Sequence, residues 1–219
     1  MNSSINSEQQ NKSTTKNMKK TVTLLAAAFL SVAVIAGSGE KETYTVNTEK
    51  STIFWTGKKV TGEHTGTLSI KSGSVIVEDG EPVAASFDID MNSIVCTDLK
   101  DEGTNQKLVG HLKSGDFFGV EAHPMGKFVA TSFTPIKGAK NREANYKIQG
   151  TLTLKGISHD IEFEGLIAMK GSGLVSNGSA EFDRAKYDIR YGSGSFFDDL
   201  GDKTIYDEVG LTFVLSANK

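Results

Sequence analysis

The stretch Ile148-Gln-Gly-Thr-Leu-Thr-Leu-Lys-Gly-Ile-Ser-His-Asp-Ile-Glu-Phe163 decides the fold. Leu152 and Leu154 alternate with threonines before Lys155-Gly156, and Ile161 and Phe163 alternate with acidic residues after it. Strict alternation is typical of a strand with one apolar face and one solvent-facing side. A short glycine-containing connection joins neighbouring antiparallel strands. The stretch therefore predicts a β-hairpin.

The same alternation recurs along most of the chain. Further apolar positions with this spacing are Ile53 and Trp55, Leu68 and Ile70, Phe87, Ile89 and Met91, Phe128 to Phe133, and Leu211, Phe213 and Leu215. Glycine-containing turns separate the runs. Eight or more short strands predict an all-β fold, either a closed barrel or a sandwich, and closure removes the sheet edges that a monomer must otherwise protect. No linker or convincing repeat divides the chain, which indicates one domain.

Residues 1–36 are set apart from that domain. Met18-Lys-Lys20 is a short basic head, and Thr21 to Ala36 is an apolar run that is shorter than the about twenty residues of a membrane-spanning helix. This pattern predicts a cleavable signal peptide, with Met18 as the start or Met1 to Asn17 as an unstructured extension. We therefore expect a periplasmic or secreted protein, no membrane span after cleavage, and a β-barrel domain over 42–219.

Charge and cysteine content exclude several classes of function. The whole chain has a net charge of -3, and removing residues 1–36, with four lysines and one glutamate, changes it to about -6. An acidic domain argues against a nucleic-acid partner and against electrostatic docking on anionic lipid. Cys96 is the only cysteine, so an intramolecular disulfide is excluded and the core alone must hold a secreted domain together.

We find no catalytic or metal motif in the sequence. The histidines are His64, His111, His123 and His159, and none has the spacing of a helical zinc pair. No nucleophile elbow is present, and Cys96 at the end of a strand is expected to be a small buried residue. The sequence therefore predicts no catalytic residue, no metal and no cofactor.

The stretch from Lys107 to Phe128 differs from the rest of the domain. It contains a helix-like segment near 104–118, followed by adjacent phenylalanines, Phe117 and Phe118. In a sheet protein such a segment is expected to plug or line a cavity. Eight-stranded barrels have a lumen that either fills with side chains or holds one small ligand. We interpret the segment as a cap over a barrel mouth, with Leu112, Phe117 and Phe118 facing the lumen.

The same stretch resembles the hallmark of the YceI-like family of secreted lipid-binding proteins. The matching residues are His111, Leu112, Lys113, Ser114, Asp116, Phe117, Phe118, Val120, Glu121, Pro124 and Phe128. A second family signature, a strand and turn, matches Gly150, Leu152, Leu154, Gly156 and Ile157. The segments Ile89 to Ile94, Phe182 to Ile189 and Asp207 to Phe213 are similar to other family strands, so the resemblance covers about Tyr44 to Ala217.

The resemblance implies an extended, lipocalin-like antiparallel β-barrel of about eight strands. It implies a long apolar pocket for a polyisoprenoid, a quinone or a fatty-acid derivative, and no catalytic residues. By position, the candidates for the pocket wall are Ile53, Trp55, Leu68, Phe87, Ile89, Met91, Leu112, Phe117, Phe118 and Phe128. His111 and Arg184 are candidate contacts of a lipid headgroup. The chain departs from the family at Gly103 to Lys107, where an acidic-Arg-Asp run is common, so the headgroup chemistry here is open.

Three functions remain open at this point. The first is a non-enzymatic carrier or binding protein for an amphiphilic lipid. The second is a secreted enzyme that acts on such a lipid, with His111, Arg184 or Asp116 as acid–base groups. The third is a ligand-free structural or stress-related barrel. A homodimer is one option for the oligomeric state.

Overall fold

The computed structural model describes residues 39–219, and the N-terminal extension and signal peptide predicted over 1–36 lie outside them. The elements are β1 Lys41–Val46, β2 Thr52–Lys59, β3 Gly62–Glu78, β4 Glu81–Cys96, α1 Glu102–Lys113, β5 Met125–Pro135, β6 Tyr146–Leu154, β7 Ile157–Lys170, β8 Gly173–Asp183 and β9 Ile205–Asn218. Short 3-10 turns cover Thr48–Lys50, Arg184–Tyr187 and Gly201–Lys203.

The strands form one antiparallel sheet that closes on itself. From β2 the sheet continues through β9, β8, β7, β6 and β5 to β4, and β4 pairs with β3, which returns to β2. β1 adds no ninth position, because it pairs with residues 74–78 of β3 whereas β2 pairs with residues 62–69 of the same strand. β1 and β2 are thus one barrel strand interrupted by a 3-10 turn. This closed barrel with eight strand positions confirms the fold predicted from the resemblance.

Two-residue turns set the register of two hairpins. Lys155 and Gly156 join β6 to β7 with φ values of 51° and 75°, and Asp79 and Gly80 join β3 to β4 with 53° and 82°. Two consecutive residues with positive φ form the type I′ turn, whose twist matches that of the flanking strands. The hairpin predicted at Lys155-Gly156 is present, with Leu154 opposite Ile157.

The wall of the barrel has a seam between β7 and β8. These strands pair from Glu164 opposite Ser179 to Lys170 opposite Gly173, but residues 157–163 of β7 and 180–183 of β8 have no pairing with each other. An outer groove of about 640 Å³ lies along this part of the wall, and Phe163 and Leu211 line both the groove and the lumen. At the far end, His159 Nε2 lies 3.0 Å from the Lys186 carbonyl oxygen.

Aromatic rings fill the lumen by packing over glycines of neighbouring strands. Trp55 lies opposite Gly66, where a Cβ atom would come within 1.8 Å of the Val95 carbonyl oxygen and 2.5 Å of the indole ring. Phe87 and Phe213 lie opposite Gly73 and Gly178 in the same way, and the ring of Phe128 packs over Gly150, which is opposite Ala130. Close packing of large rings therefore requires glycine at these positions.

Helix α1 lies beside the end of β4. It begins at the N-cap Asp101, whose carboxylate accepts the Thr104 N–H at 2.9 Å, and it ends at Lys113. The prediction extended the helix to residue 118, but Ser114 is extended and the following N–H groups bond back into turns, which include Gly119 at φ 54°. Within residues 39–219, each helix is too short and too polar to cross a lipid bilayer.

Candidate functional site

The end of the barrel beside α1 contains a cavity of about 250 Å³. Two smaller cavities of about 80 Å³ and 30 Å³ continue along the lumen. The wall of the largest cavity of the lumen is formed by side chains of β2, β3, β4, β6, β8 and β9, and α1 with its following turn covers it. The inward positions of alternating strands are apolar, so the lumen is apolar along its length.

The predicted wall residues lie in the lumen. Those in the largest cavity are Ile53, Trp55, Leu68, Ile89, Met91, Leu112, Phe117 and Phe118. Phe87 and Phe128 instead line the adjacent cavity of about 80 Å³. Wall residues that sequence reasoning missed include Ile94, Leu154, Phe182, Ile189, Ile205 and Val209. The contact of any of these residues with a ligand stays a prediction.

Four phenylalanines form a belt across the middle of the lumen. The ring centroids of Phe87 and Phe128 are 6.4 Å apart, those of Phe128 and Phe163 are 5.6 Å apart, and those of Phe163 and Phe213 are 5.6 Å apart. All four rings line the small cavities and none lines the largest one. The phenylalanine belt therefore forms the floor of the cavity of about 250 Å³.

Arg184 lies in the cavity wall, but its donors bond to the protein itself. The guanidinium is 2% exposed, and the Asp207 carboxylate lies 3.1 Å away. Four N–H groups donate to the carbonyl oxygens of Ile189, Tyr191, Ile205 and Tyr206, at 2.9 to 3.1 Å. Burial lowers the pKa of Arg184, and the charges of Asp207 and Asp183 oppose that shift. The predicted headgroup contact of Arg184 would have to displace one of these bonds.

His111 is on α1 at the mouth of the cavity, and its side chain faces the loop after the Arg184–Tyr187 turn. Its Nε2 is 3.3 Å from the Asp116 carboxylate. Its ring meets the rings of Phe117 and Tyr191 edge-on, with centroids 4.9 Å and 4.4 Å apart. His111 is one third exposed and lines the cavity. Its position fits the predicted headgroup contact, which stays a prediction.

Lys58 and Lys59 are further polar groups at this mouth. Both line the cavity, both are exposed, and neither has an ion-pair partner among residues 39–219. Sequence reasoning missed them because β2 reads as an ordinary strand end. The alternation contained a signal for Lys59, because Lys59 is in phase with the inward residues Ile53 and Trp55. It gave none for Lys58, which is out of phase with them and lies at an irregularity of the ladder between Gly57 and Lys59.

Two buried tyrosines have strongly raised pKa values. Burial, followed by the hydrogen bond to Glu81, raises the pKa of Tyr146 to about 12. Burial, followed by the charges of Asp160 and Asp183, raises the pKa of Tyr187 to about 12. The Tyr187 hydroxyl is buried without a hydrogen-bond partner among the described residues.

One cluster brings together three side chains of the kinds that bind metals. His64 Nδ1 lies 2.8 Å from Asp98 Oδ2, and the Cys96 thiol donates to Asp98 Oδ1 at 3.2 Å. Burial alone would raise the pKa of Asp98, but hydrogen bonds from His64, the Thr65 N–H and Cys96 hold it below its usual value. Burial is also the main cause that raises the pKa of the Cys96 thiol.

Comparisons with known proteins agree with this architecture. The family profile described as the YceI-like domain matches residues 44–217. A UPF0312 protein of Staphylococcus aureus strain USA300 is 34% identical over 96 residues. That match covers 40% of this chain and 49% of the curated relative, so the chain spans about half the length of the relative.

Two solved structures share the fold. The crystal structure of Burkholderia cenocepacia BcnA superposes with a TM-score of 0.60 at 24% identity, covering 79% of this chain and 99% of BcnA. A polyisoprenoid binding domain from Saccharophagus degradans, implicated in plant cell wall breakdown, superposes with a TM-score of 0.55 at 16% identity. It covers 80% of this chain and 97% of that domain.

Proposed function

The chain belongs to the YceI-like family, and from this premise we propose that it binds an amphiphilic lipid, without catalysing a reaction on it. A polyisoprenoid, a quinone or a fatty-acid derivative is the class of ligand that the lumen suits. The observation that carries the proposal is the cavity of about 250 Å³ with an apolar wall and polar groups confined to its mouth. Such pockets bind through buried apolar area, and a few polar groups orient the ligand.

The volume of the cavity sets a scale for the ligand. A water molecule occupies about 30 Å³ of liquid, and a methylene group is of similar size, so 250 Å³ holds about eight such groups. At about 0.8 kcal/mol per buried methylene, these groups contribute roughly 6 kcal/mol before the cost of association. A longer chain gains more only by displacing the phenylalanine belt.

The polar residues of the mouth support binding more than catalysis. His111 Nε2 lies 3.3 Å from the Asp116 carboxylate, and this proximity is a geometric point in favour of an enzyme. The third candidate acid–base group, Arg184, donates its N–H groups to backbone carbonyls. We therefore propose that Lys58, Lys59 and His111 contact the headgroup.

Native mass spectrometry of protein purified without detergent tests the proposal. We expect a bound amphiphile of defined mass, and an emptied protein that takes up a fluorescent apolar probe. Phe118→Asp places a carboxylate in the cavity wall and should abolish uptake, whereas Phe54→Asp, at a position 45% exposed on the outer face of β2, should not. Leu68→Trp fills the cavity without adding charge and should also reduce uptake. An empty wild-type protein that takes up no probe would overturn the proposal.

We also propose that the mature protein is periplasmic or secreted. The support is the basic head and apolar run of residues 18–36. Cell fractionation followed by mass determination of the mature N-terminus tests this location. A full-length protein that is retained in the cytoplasm would contradict it.

A further inference from the structure

His64 meets Cys96 and Asp98 at the mouth of the barrel although it is 34 residues before Asp98 in the sequence. His64 is in β3, Cys96 is the last residue of β4, and Asp98 follows it by two positions. The ladder between β3 and β4 brings them together, with Gly66 opposite Cys96 and the Thr97 N–H donating to the Thr65 carbonyl at 2.9 Å. One ligating atom from each side chain lies within 4.8 Å of the other two.

We propose that these three side chains bind one divalent cation of the zinc class. Zinc takes imidazole nitrogen, thiolate sulfur and carboxylate oxygen as ligands. Its bonds of about 2.0 to 2.3 Å place tetrahedral ligands roughly 3.3 to 3.8 Å apart. The distances from Asp98 to His64 Nδ1, 2.8 Å, and to Cys96 Sγ, 3.2 Å, are slightly shorter than this range. The three ligating atoms all lie within 4.8 Å of one another. Small side-chain rotations are therefore sufficient to admit the ion.

The charges and ligand number define the kind of site. One thiolate and one carboxylate neutralise a divalent cation, and the neutral imidazole completes a set of three protein ligands. Coordination replaces the proton of the Cys96 thiol with the metal ion, and that proton leaves to the solvent. The proton that His64 Nδ1 donates to Asp98 moves to Nε2 by exchange with the solvent, so that Nδ1 is free to bind the metal. Three protein ligands leave the fourth position of zinc for water or an external ligand, whereas purely structural zinc sites are closed by four.

Neighbouring hydrogen bonds hold the ligands in position. The Asn105 side chain of α1 donates to the Cys96 carbonyl at 2.9 Å and to the Leu99 carbonyl at 3.0 Å. The Thr65 N–H donates to Asp98 Oδ1 at 2.9 Å, which orients that carboxylate and leaves Oδ2 directed at His64. Such partners fix the geometry of metal ligands. The site thus rests on α1, β3 and β4 and does not depend on the proposed lipid binding.

Cobalt substitution of the untagged, reduced, full-length protein tests the proposal. We expect one equivalent of Co²⁺ to produce a near-ultraviolet thiolate-to-cobalt charge-transfer band, and Zn²⁺ to abolish it by displacement. Cys96→Ser should remove the band, and His64→Gln and Asp98→Asn should weaken binding more than Asn105→Ala, which should weaken it by about 10–100-fold. His123→Gln, outside the cluster, is the matched control and should bind as the wild type does.

A second measurement makes the result independent of spectroscopy. Saturating Zn²⁺ should raise the thermal unfolding midpoint of the wild-type protein and leave that of Cys96→Ser unchanged, because only a ligand that prefers the folded state stabilises it. The wild-type protein alone decides the matter if a variant fails to fold. A wild-type protein with no charge-transfer band at saturating Co²⁺ and no midpoint shift with Zn²⁺ would overturn the proposal.

Discussion

Replacing Arg184 separates a structural role of this residue from a headgroup role. Arg184→Met keeps the length of the side chain but removes its charge and every donor. Four backbone carbonyls lose their hydrogen-bond partner, and the Asp207 carboxylate loses the guanidinium at 3.1 Å. Because the Arg184 side chain is 2% exposed and that of Asp207 is 13% exposed, water compensates poorly for these losses.

The magnitude follows from the burial of the pair. Removing one partner of a buried ion pair costs about 3–5 kcal/mol. We expect the free energy of unfolding to fall by that amount, which for a domain of this size lowers the unfolding midpoint by about 6–20 °C. Urea denaturation followed by tryptophan fluorescence of Trp55 measures the loss. Arg190→Met is the control, because Arg190 is 59% exposed beside Asp188 and its pair should contribute less than about 1 kcal/mol.

A double-mutant cycle identifies the cause of the loss. Asp207→Asn removes the charge and keeps an acceptor for the hydroxyls of Ser193 and Ser195. We expect Arg184→Met with Asp207→Asn to cost at least about 1 kcal/mol less than the sum of the two single changes, because the unpaired charge is gone. If Arg184→Met costs less than about 1 kcal/mol but abolishes lipid uptake, the structural reasoning is wrong and Arg184 is a headgroup contact.

Three further predictions concern the lumen and the pH dependence of stability. Gly66→Ala should destabilise the barrel by several kcal/mol, because the new Cβ would lie 1.8 Å from the Val95 carbonyl oxygen. Gly57→Ala, whose Cβ would have its nearest contact at 3.9 Å, should be tolerated, and chemical denaturation of the two variants compares their stabilities. Tyr146 and Tyr187 hold their protons up to a pKa of about 12 in the folded state, above the about 10 of the unfolded chain. The contribution of these two tyrosines to stability should therefore be complete below pH 10 and be lost from pH 10 to 12, which tyrosinate absorbance and unfolding measured together check. Phe213→Ala opens the phenylalanine belt and should cost about 3 kcal/mol while increasing affinity for longer apolar chains relative to short ones, as measured by competition with a fluorescent probe.

The alternation of apolar and polar residues predicts the fold but not the pairing register of neighbouring strands. It assigns the inward face of each strand, so the positions of Ile53, Trp55, Ile89 and Met91 in the wall follow from it. It does not state which residues of two strands lie opposite each other, because every shift by two residues keeps the same face inside. The meeting of His64 with Cys96 depends on that register and was therefore not predictable.

Other features depend on long-range packing. Arg184 reads in the sequence as a free basic residue near a strand end, and only the approach of residues 189–191 and 205–206 shows that it is enclosed by carbonyls. The end of α1 was predicted five residues late because the apolar pattern continues through Phe117 and Phe118. Those two side chains are held in the lumen by turns instead of by a longer helix.

The seam between β7 and β8 determines how the barrel changes its circumference. Widening a closed sheet along a continuous ladder breaks hydrogen bonds, but residues 157–163 and 180–183 have no pairing with each other. The two strands can therefore separate further there without loss of ladder hydrogen bonds between them, between the Glu164–Ser179 pair at one end and the contact of His159 with Lys186 at the other. Phe163 of the belt is in this part of β7, so one of the four rings that limit the depth of the cavity is on a segment that can move away from β8 without breaking a ladder hydrogen bond between the two strands.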